Sequence, residues 1–407
     1  MGALKTPLWV CNAVCRRTHC QELSERMSAN QTNMPGARHA KGRATARSAR
    51  IPFFDNFKGI LIILVVLGHF LSGATGAGVL PAWRLFDFVY LFHMPLFIFA
   101  SGLFCKSVYV PERGLRVGTI LYYLLLCWAM YAALWIPQAA FGVAEPFNLL
   151  TVDSSMPWYL MALAVYCALT PVFYELRPPY AIGIAFAISV LCGLVDAGNV
   201  FSVSRVITFL PFFLLGYYLQ PWVILDFVNS FRERPLMPRA VAILVIAAIF
   251  TVFQFLDVDQ LKASQIIFTG RDPYDAAMLA KGNEGAIMGC IIRMAGFAGT
   301  GAIGVALVLL VPKCEVPLLT RTGRHTLQVY IFHAFVSYAI AFVGIAPALY
   351  ESMSSTVATA VIVALSVATA FVLGYPNTVQ RQFDRLKRML DGRLSPVCPN
   401  RQDRQDL

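Results

Sequence analysis

Charge is what this sequence has least of. Only 14% of its 407 residues are Asp, Glu, Lys or Arg, against 58% hydrophobic; soluble globular proteins carry about 25% charged residues. The apolar residues come in blocks of about twenty, whereas a helix of a soluble protein keeps one polar face. That shortage excludes an ordinary soluble core and leaves lipid as the solvent. Internal repeats and a soluble catalytic domain are also missing. The ten cysteines are scattered without pairing logic, which excludes a disulfide framework. Cys11, Cys15, His19 and Cys20 cluster early, but their spacing is not that of a zinc finger and no second pair follows. No metal site is expected. The first fifty residues hold no apolar run of signal-peptide length, and the myristoylation pattern at Gly2 is short enough to arise by chance.

What the chain does have is hydrophobic blocks long enough, or nearly so, to cross about 30 Å of hydrocarbon. They predict spans at 57–73, 85–104, 116–136, 158–175, 181–195, 205–220, 240–256, 286–312, 326–348 and 355–375. The fifth and sixth are short and broken by Gly193, Pro211 and Gly216. The expected fold is all-α, a polytopic integral membrane protein of about ten transmembrane helices. Its membrane domain would cover 51–376, between a disordered basic tail at 1–50 and a second basic tail at 377–407.

Basic residues set the orientation. With the N-terminus inside, 26 of the 33 Lys and Arg fall on the inner segments, counting Arg116 at a border. That asymmetry satisfies the positive-inside rule for an even number of spans and puts both termini in the cytoplasm of a plasma-membrane protein. The net charge of +11 is therefore first a topology signal and needs no nucleic-acid partner.

Ionisable groups inside spans are costly and tend to be functional. The first span carries Lys58 near its cytoplasmic entrance and His69 eleven residues further on. Eleven helical steps return to within about 20° of the same face and rise about 16 Å, so both share one stripe with His69 near or past mid-membrane. For Lys58 alone, a snorkelling interfacial lysine is an equal reading; for His69 the alternative is a helix–helix hydrogen bond. The second span contains His93 beside Pro95, which removes a backbone donor and frees a carbonyl. Packing alone accounts for Ser101 and Gly102.

These segments resemble the acyltransferase 3 family, whose members include bacterial O-acetylases of sugars and surface glycans. The resemblance rests on Phe54-Asp55-x-x-Lys58-Gly59 leading to His69, and on Phe92-His93-Met94-Pro95-Leu96-Phe97-x-Phe99-x-Ser101-Gly102. The family's first-span motif is a basic residue, ten others, then His. Lys58 stands where Arg is usual, which keeps the charge and loses the bidentate fork. Four further segments follow in the family's order: Arg113-Gly114-Leu115-Arg116, Pro157-Trp158-Tyr159-Leu160, Arg205 through Pro211 to Gly216-Tyr217, and Gly323 through Thr326-Leu327 to Tyr330 and His333. The similarity covers about residues 50–376 and implies ten spans and transfer of an acyl group, usually acetyl, from acyl-CoA to a sugar or glycan hydroxyl.

Such a transfer needs a base for the hydroxyl proton, and neutral imidazole suits that role. The resemblance points to His69 as that base, or equally as the carrier of a transient acyl group, with Lys58 as its partner cation. Lys58, Arg113 and Arg116 would receive the phosphates of the cytoplasmic donor; for the two arginines, plain positive-inside anchoring is the alternative. Arg205 and Arg293 are candidates for oxyanion or glycan contact, or for ion pairs with Asp87, Asp196 or Glu284. His93, Trp158, Tyr330 and His333 complete the candidate acceptor contacts, and the outer segment 257–285 is a candidate for acceptor selection. No permanently bound cofactor is expected; the partners are acyl-CoA, the glycan acceptor and the bilayer. The rival reading is a transporter or flippase, against which stand the missing repeat symmetry and the placing of Asp55, Asp87 and Glu175 near span ends.

Overall fold

The computed structural model describes residues 50–76, 78–142, 146–150, 156–198, 200–277 and 282–394. The early Cys/His cluster, Gly2, nearly all of the N-terminal basic stretch and the last thirteen residues lie outside the described residues. Apolar blocks become helices because a backbone in lipid must satisfy its own hydrogen bonds. In chain order these are α1 (Pro52–Gly76), α2 (Leu80–Phe104), α3 (Val117–Ala140), α4 (Trp158–Ala168), α5 (Thr170–Glu175), α6 (Pro178–Cys192), α7 (Val203–Tyr218), α8 (Pro221–Asn229), α9 (Leu236–Gln254), α10 (Val258–Thr269), α11 (Gly282–Leu310), α12 (Pro317–Arg324), α13 (Thr326–Val343), α14 (Ile345–Ser352), α15 (Ser355–Gly374) and α16 (Asn377–Leu394). One small hairpin, β1 (Tyr109–Val110) with β2 (Gly114–Leu115), joins α2 to α3.

Among the described residues, eight helices, α1, α2, α3, α7, α9, α11, α13 and α15, are long and apolar enough to cross a membrane; α4 and α6 are shorter apolar helices. Every expected span falls on one of these ten. The chain is therefore an all-α, multi-pass membrane protein. The fourth expected span divides into α4 and α5 at Leu169, where the Thr170 hydroxyl takes the Cys167 carbonyl at 2.7 Å. The ninth stops early at Gly344, whose φ of 72° ends α13 and turns the chain into α14.

α2 is the central helix: 78% of its apolar window is buried within the protein, against 11% for α9 at the periphery. It crosses α7 at backbone contact. A Cβ on Gly102 would meet the Phe213 carbonyl, and one on Gly216 would meet the Phe99 carbonyl, so this crossing requires glycine on both helices. Pro95 sits inside α2 and deprives the Leu91 carbonyl of its usual donor. The Thr300 hydroxyl of α11 fills that place at 2.7 Å. Thr300→Val keeps the shape and removes the donor, and is expected to cost about 1–2 kcal/mol, read as a lower melting temperature of the purified protein.

Two distant segments interlock at the Pro52 end of α1. Asn56, fully buried, donates through Nδ2 to the Pro312 and Cys314 carbonyls at 2.9 and 2.8 Å and accepts from the Thr320 hydroxyl at 2.5 Å. Asp55 pairs with Lys58 at 3.1 Å and with Arg324 at 3.2 Å, while Arg324 also reaches Glu315. Gly323 lies directly against the Asp55 carbonyl. The Asp-x-x-Lys-Gly and late Gly-x-x-Thr motifs are thus halves of one clamp.

Polar segments hold more structure than a membrane-span reading predicts. The segment after 257 forms α10, started by a reciprocal Asp257–Gln260 capping box. The stretch expected as a tail from 377 begins as α16, an amphipathic helix packed on α3 through Thr119–Asp391 (2.9 Å) and Lys387 over the Tyr123 ring (5.9 Å). Neither α12 nor α16 presents an apolar block, so only their 3.6-residue periodicity could have marked them.

Candidate active site

Toward the Gly76 end of α1, six elements surround a cavity of about 210 Å³. α1 contributes His69; α2 contributes Tyr90, His93 and Met94; Met156 and Trp158 stand at the start of α4. Arg205 and Phe209 come from the first turns of α7, Phe268 and Thr269 from the end of α10, and Tyr338 from α13. Four sequence-predicted residues, His69, His93, Trp158 and Arg205, are therefore brought into one space.

Their polar atoms are differently committed. His93 Nδ1 lies 2.7 Å from the Val89 carbonyl, one turn back on its own helix. A carbonyl only accepts, so that nitrogen carries the proton and Nε2 holds the lone pair. The His69 ring is half-buried at the cavity wall and hydrogen-bonds nothing among the described residues. Among the described histidines it is the one whose ring nitrogens make no hydrogen bond, since His93, His325 and His333 each use Nδ1. The Arg205 guanidinium stacks over the Trp158 ring at 4.7 Å. Just before it, Phe201 and Ser202 adopt left-handed backbone, φ 52° and 55°, a strain that non-glycine residues hold where surrounding structure enforces it and that clusters at functional sites.

Behind His69, away from the cavity lining, stands His333, with ring centroids 5.2 Å apart. Tyr330 lies beside His333 at 5.8 Å, donates to the Met156 carbonyl, and packs edge-on against Tyr159 at 5.1 Å. Tyr159 in turn shares a hydrogen bond of 2.8 Å with Ser101. These tyrosines border a second cavity of about 110 Å³, lined also by Phe97, Tyr123, Leu163, Thr326 and Leu327. The late motif thus reaches the site from behind His69.

Other expected residues stand elsewhere. Lys58 is held by Asp55 and lies 5.4 Å from the Phe104 ring; it lines neither cavity. Arg113 is exposed in the hairpin and Arg116 half-buried at the start of α3. Arg293 stands away from both cavities. It is buried in α11 and bonds the Ser189 carbonyl (3.0 Å), the Ile267 carbonyl (3.2 Å) and the Thr208 hydroxyl (3.4 Å), with its guanidinium over the Tyr274 ring. Ser189 and Ile267 lie in the last turns of α6 and α10, whose carbonyls have no helical donor. Arg293 therefore fastens two helix ends, and among the described residues it forms no ion pair with Asp87, Asp196 or Glu284. Asp87 also departs from expectation: it is fully buried in α2 and accepts from the Ser264 hydroxyl of α10. Asp196 accepts from the Gly198 amide and pairs with no arginine among the described residues.

The sequence reading missed Tyr90, Met94, Met156, Phe209, Phe268, Thr269 and Tyr338. Tyr90 was accessible, since it lies three residues before His93 on the same helix face. Phe268 and Thr269 belong to the outer segment already suspected, but the turn that aims them inward depends on α10.

Fold and site define a membrane-embedded helical bundle with a histidine-bearing chamber among its helices. The chain belongs to the acyltransferase 3 family, whose acyltransferase domain matches residues 51–375. It is also similar to the nodulation protein NolL of Mesorhizobium japonicum, 27% identical over 197 residues, covering 36% of this chain and 52% of that protein. NolL of Sinorhizobium fredii is 30% identical over 161 residues, covering 31% of this chain and 43% of that protein. The chain thus spans about half the length of the curated relatives it matches. No solved structure matches it.

Proposed function

We propose that this protein is a membrane-bound O-acyltransferase that moves an acetyl group from acetyl-CoA to a hydroxyl of a sugar or cell-surface glycan. One observation carries the reading: in a chain of this family, the motif histidine His69 faces a chamber with an uncommitted ring, beside Arg205 and Trp158. A base with a free lone pair next to a fixed cation suits hydroxyl attack on a thioester. His69 takes the hydroxyl proton as the new carbon–oxygen bond forms. The carbon–sulfur bond breaks, and the thiolate of coenzyme A regains that proton. Arg205 faces the developing oxyanion or the acceptor, and Trp158 and His93 line the acceptor's space.

In this reading the domain 51–376 spans the plasma membrane with both termini cytoplasmic, on the charge distribution. The donor then approaches from the Pro52 end of α1, and its pantetheine arm runs toward Tyr330 through the smaller cavity. Arg113 and Arg116 receive phosphates. Lys58 shares its charge with Asp55, so its share of that binding is smaller. Arg113→Ala with Arg116→Ala is expected to raise the KM for acetyl-CoA about tenfold or more with topology intact, measured by donor titration in membranes. The function itself is tested by base-labile acetyl esters on surface glycans of a strain lacking and then regaining the chain; equal ester content in both would overturn it.

A carrier would share the buried Asp87. That carboxyl is hydrogen-bonded to Ser264 and does not line the chamber, so it favours no second reading.

A further inference from the structure

His333 is fully buried and its two ring nitrogens are unequal. Nδ1 lies 3.0 Å from the Val329 carbonyl of its own helix. Because that carbonyl only accepts, Nδ1 carries the proton and Nε2 is left as a bare lone pair. Among the described residues Nε2 is buried with no partner, an arrangement that native interiors rarely leave unexplained. Its partner has to be a donor. The Tyr330 hydroxyl is already given to Met156, and His93 spends its one N–H on Val89, which leaves it no donor to offer. Ser337, one turn further along α13, is also buried and unpartnered, but it lines neither cavity and so links His333 to no reacting group. The His69 ring, at 5.2 Å between centroids, stands at a separation that fits one N–H···N hydrogen bond between ring edges. No hydrogen bond among the described residues holds that ring, so its edge is free to turn toward Nε2.

We propose that His333 is a positioning residue for the base: its Nε2 accepts the N–H of His69 and fixes the His69 tautomer. This rests on the reading of His69 as the base. With one His69 nitrogen donating to His333, the other necessarily presents its lone pair to the chamber. When His69 takes the hydroxyl proton, the positive charge that develops is shared along the N–H···N bond; the proton then passes to the departing thiolate, so His333 gains and loses nothing over the cycle. The arrangement does with a neutral, buried acceptor what a carboxylate does behind the histidine of a hydrolase triad, and it places no buried ion in the membrane.

The test compares full-length wild type, His333→Phe, His333→Gln and His69→Ala in membranes carrying the host's own glycan acceptor, with acetyl-CoA varied. His333→Phe is expected to lower kcat about 10- to 100-fold at equal abundance, with KM for acetyl-CoA unchanged. His333→Gln, whose amide oxygen offers an acceptor in the same region, is expected to recover at least a third of the wild-type kcat. Wild-type kcat in His333→Phe overturns the proposal, as does a glutamine variant no better than phenylalanine. If His333→Phe fails to accumulate, His333→Gln alone decides: a kcat within threefold of wild type supports the proposal and a tenfold loss overturns it. An active His69→Ala variant is a different failure, because it removes the base itself and with it the proposed function.

Discussion

His69→Ala is expected to lower acyl transfer by about 10²- to 10⁴-fold, the range in which general-base catalysis operates, while the protein stays in the membrane at normal abundance. Two features separate this loss from simple damage. The ring borders a cavity and makes no hydrogen bond among the described residues, so its removal leaves no orphaned partner beyond His333, whose Nε2 is unpaired already. Its neighbours on α1, Leu67, Gly68 and Phe70, keep their packing. The measurement is ester content normalised to immunodetected protein. His93→Ala provides the contrast: its Nδ1 is tied to Val89, and its truncation is expected to weaken acceptor use more than to abolish transfer.

Gly323→Ala is expected to abolish accumulation of folded protein. A Cβ at this position would overlap the Asp55 carbonyl and press on the Gly59 amide, both backbone atoms of α1. Backbone cannot swing aside as a side chain can, so the helices must separate. Separation breaks the Asn56 bonds to Pro312, Cys314 and Thr320 together with the Asp55–Arg324 pair. Overpacking alone costs about 1–3 kcal/mol; adding buried hydrogen bonds at about 1 kcal/mol each consumes much of a marginal stability. Gly301→Ala is the matched control, since a Cβ there meets nothing within 4 Å and alanine favours the interior of α11. Its melting temperature in detergent is expected to equal or exceed that of wild type, and Gly323→Ala to give no folded peak.

These two sites show what could be read from the chain. Span positions were legible because hydrocarbon imposes length and composition on each crossing, and all ten blocks fall on helices. The His69, His93, Trp158 and Arg205 grouping came from motifs, and the structure gathers those four around one chamber. Contacts across hundreds of residues were not legible. Nothing local in Asp55 or Gly323 says that they touch, and a periodicity that places Lys58 and His69 on one stripe cannot say that Lys58 is spent on Asp55. Nor does anything local in Arg293 say that the open carbonyls of α6 and α10 surround it. The leucine carbonyl freed by Pro95 was foreseeable, and its partner Thr300, 209 residues away, was not.

The proposed chemistry turns on His69 acting as the base in the chamber. Its most direct measurement is base-labile acetyl ester on surface glycan in a strain without its own copy, carrying wild type or His69→Ala at matched membrane abundance. Wild type is expected to restore the ester and His69→Ala to leave it at the level of the empty strain. Ester restored equally by both would contradict the account.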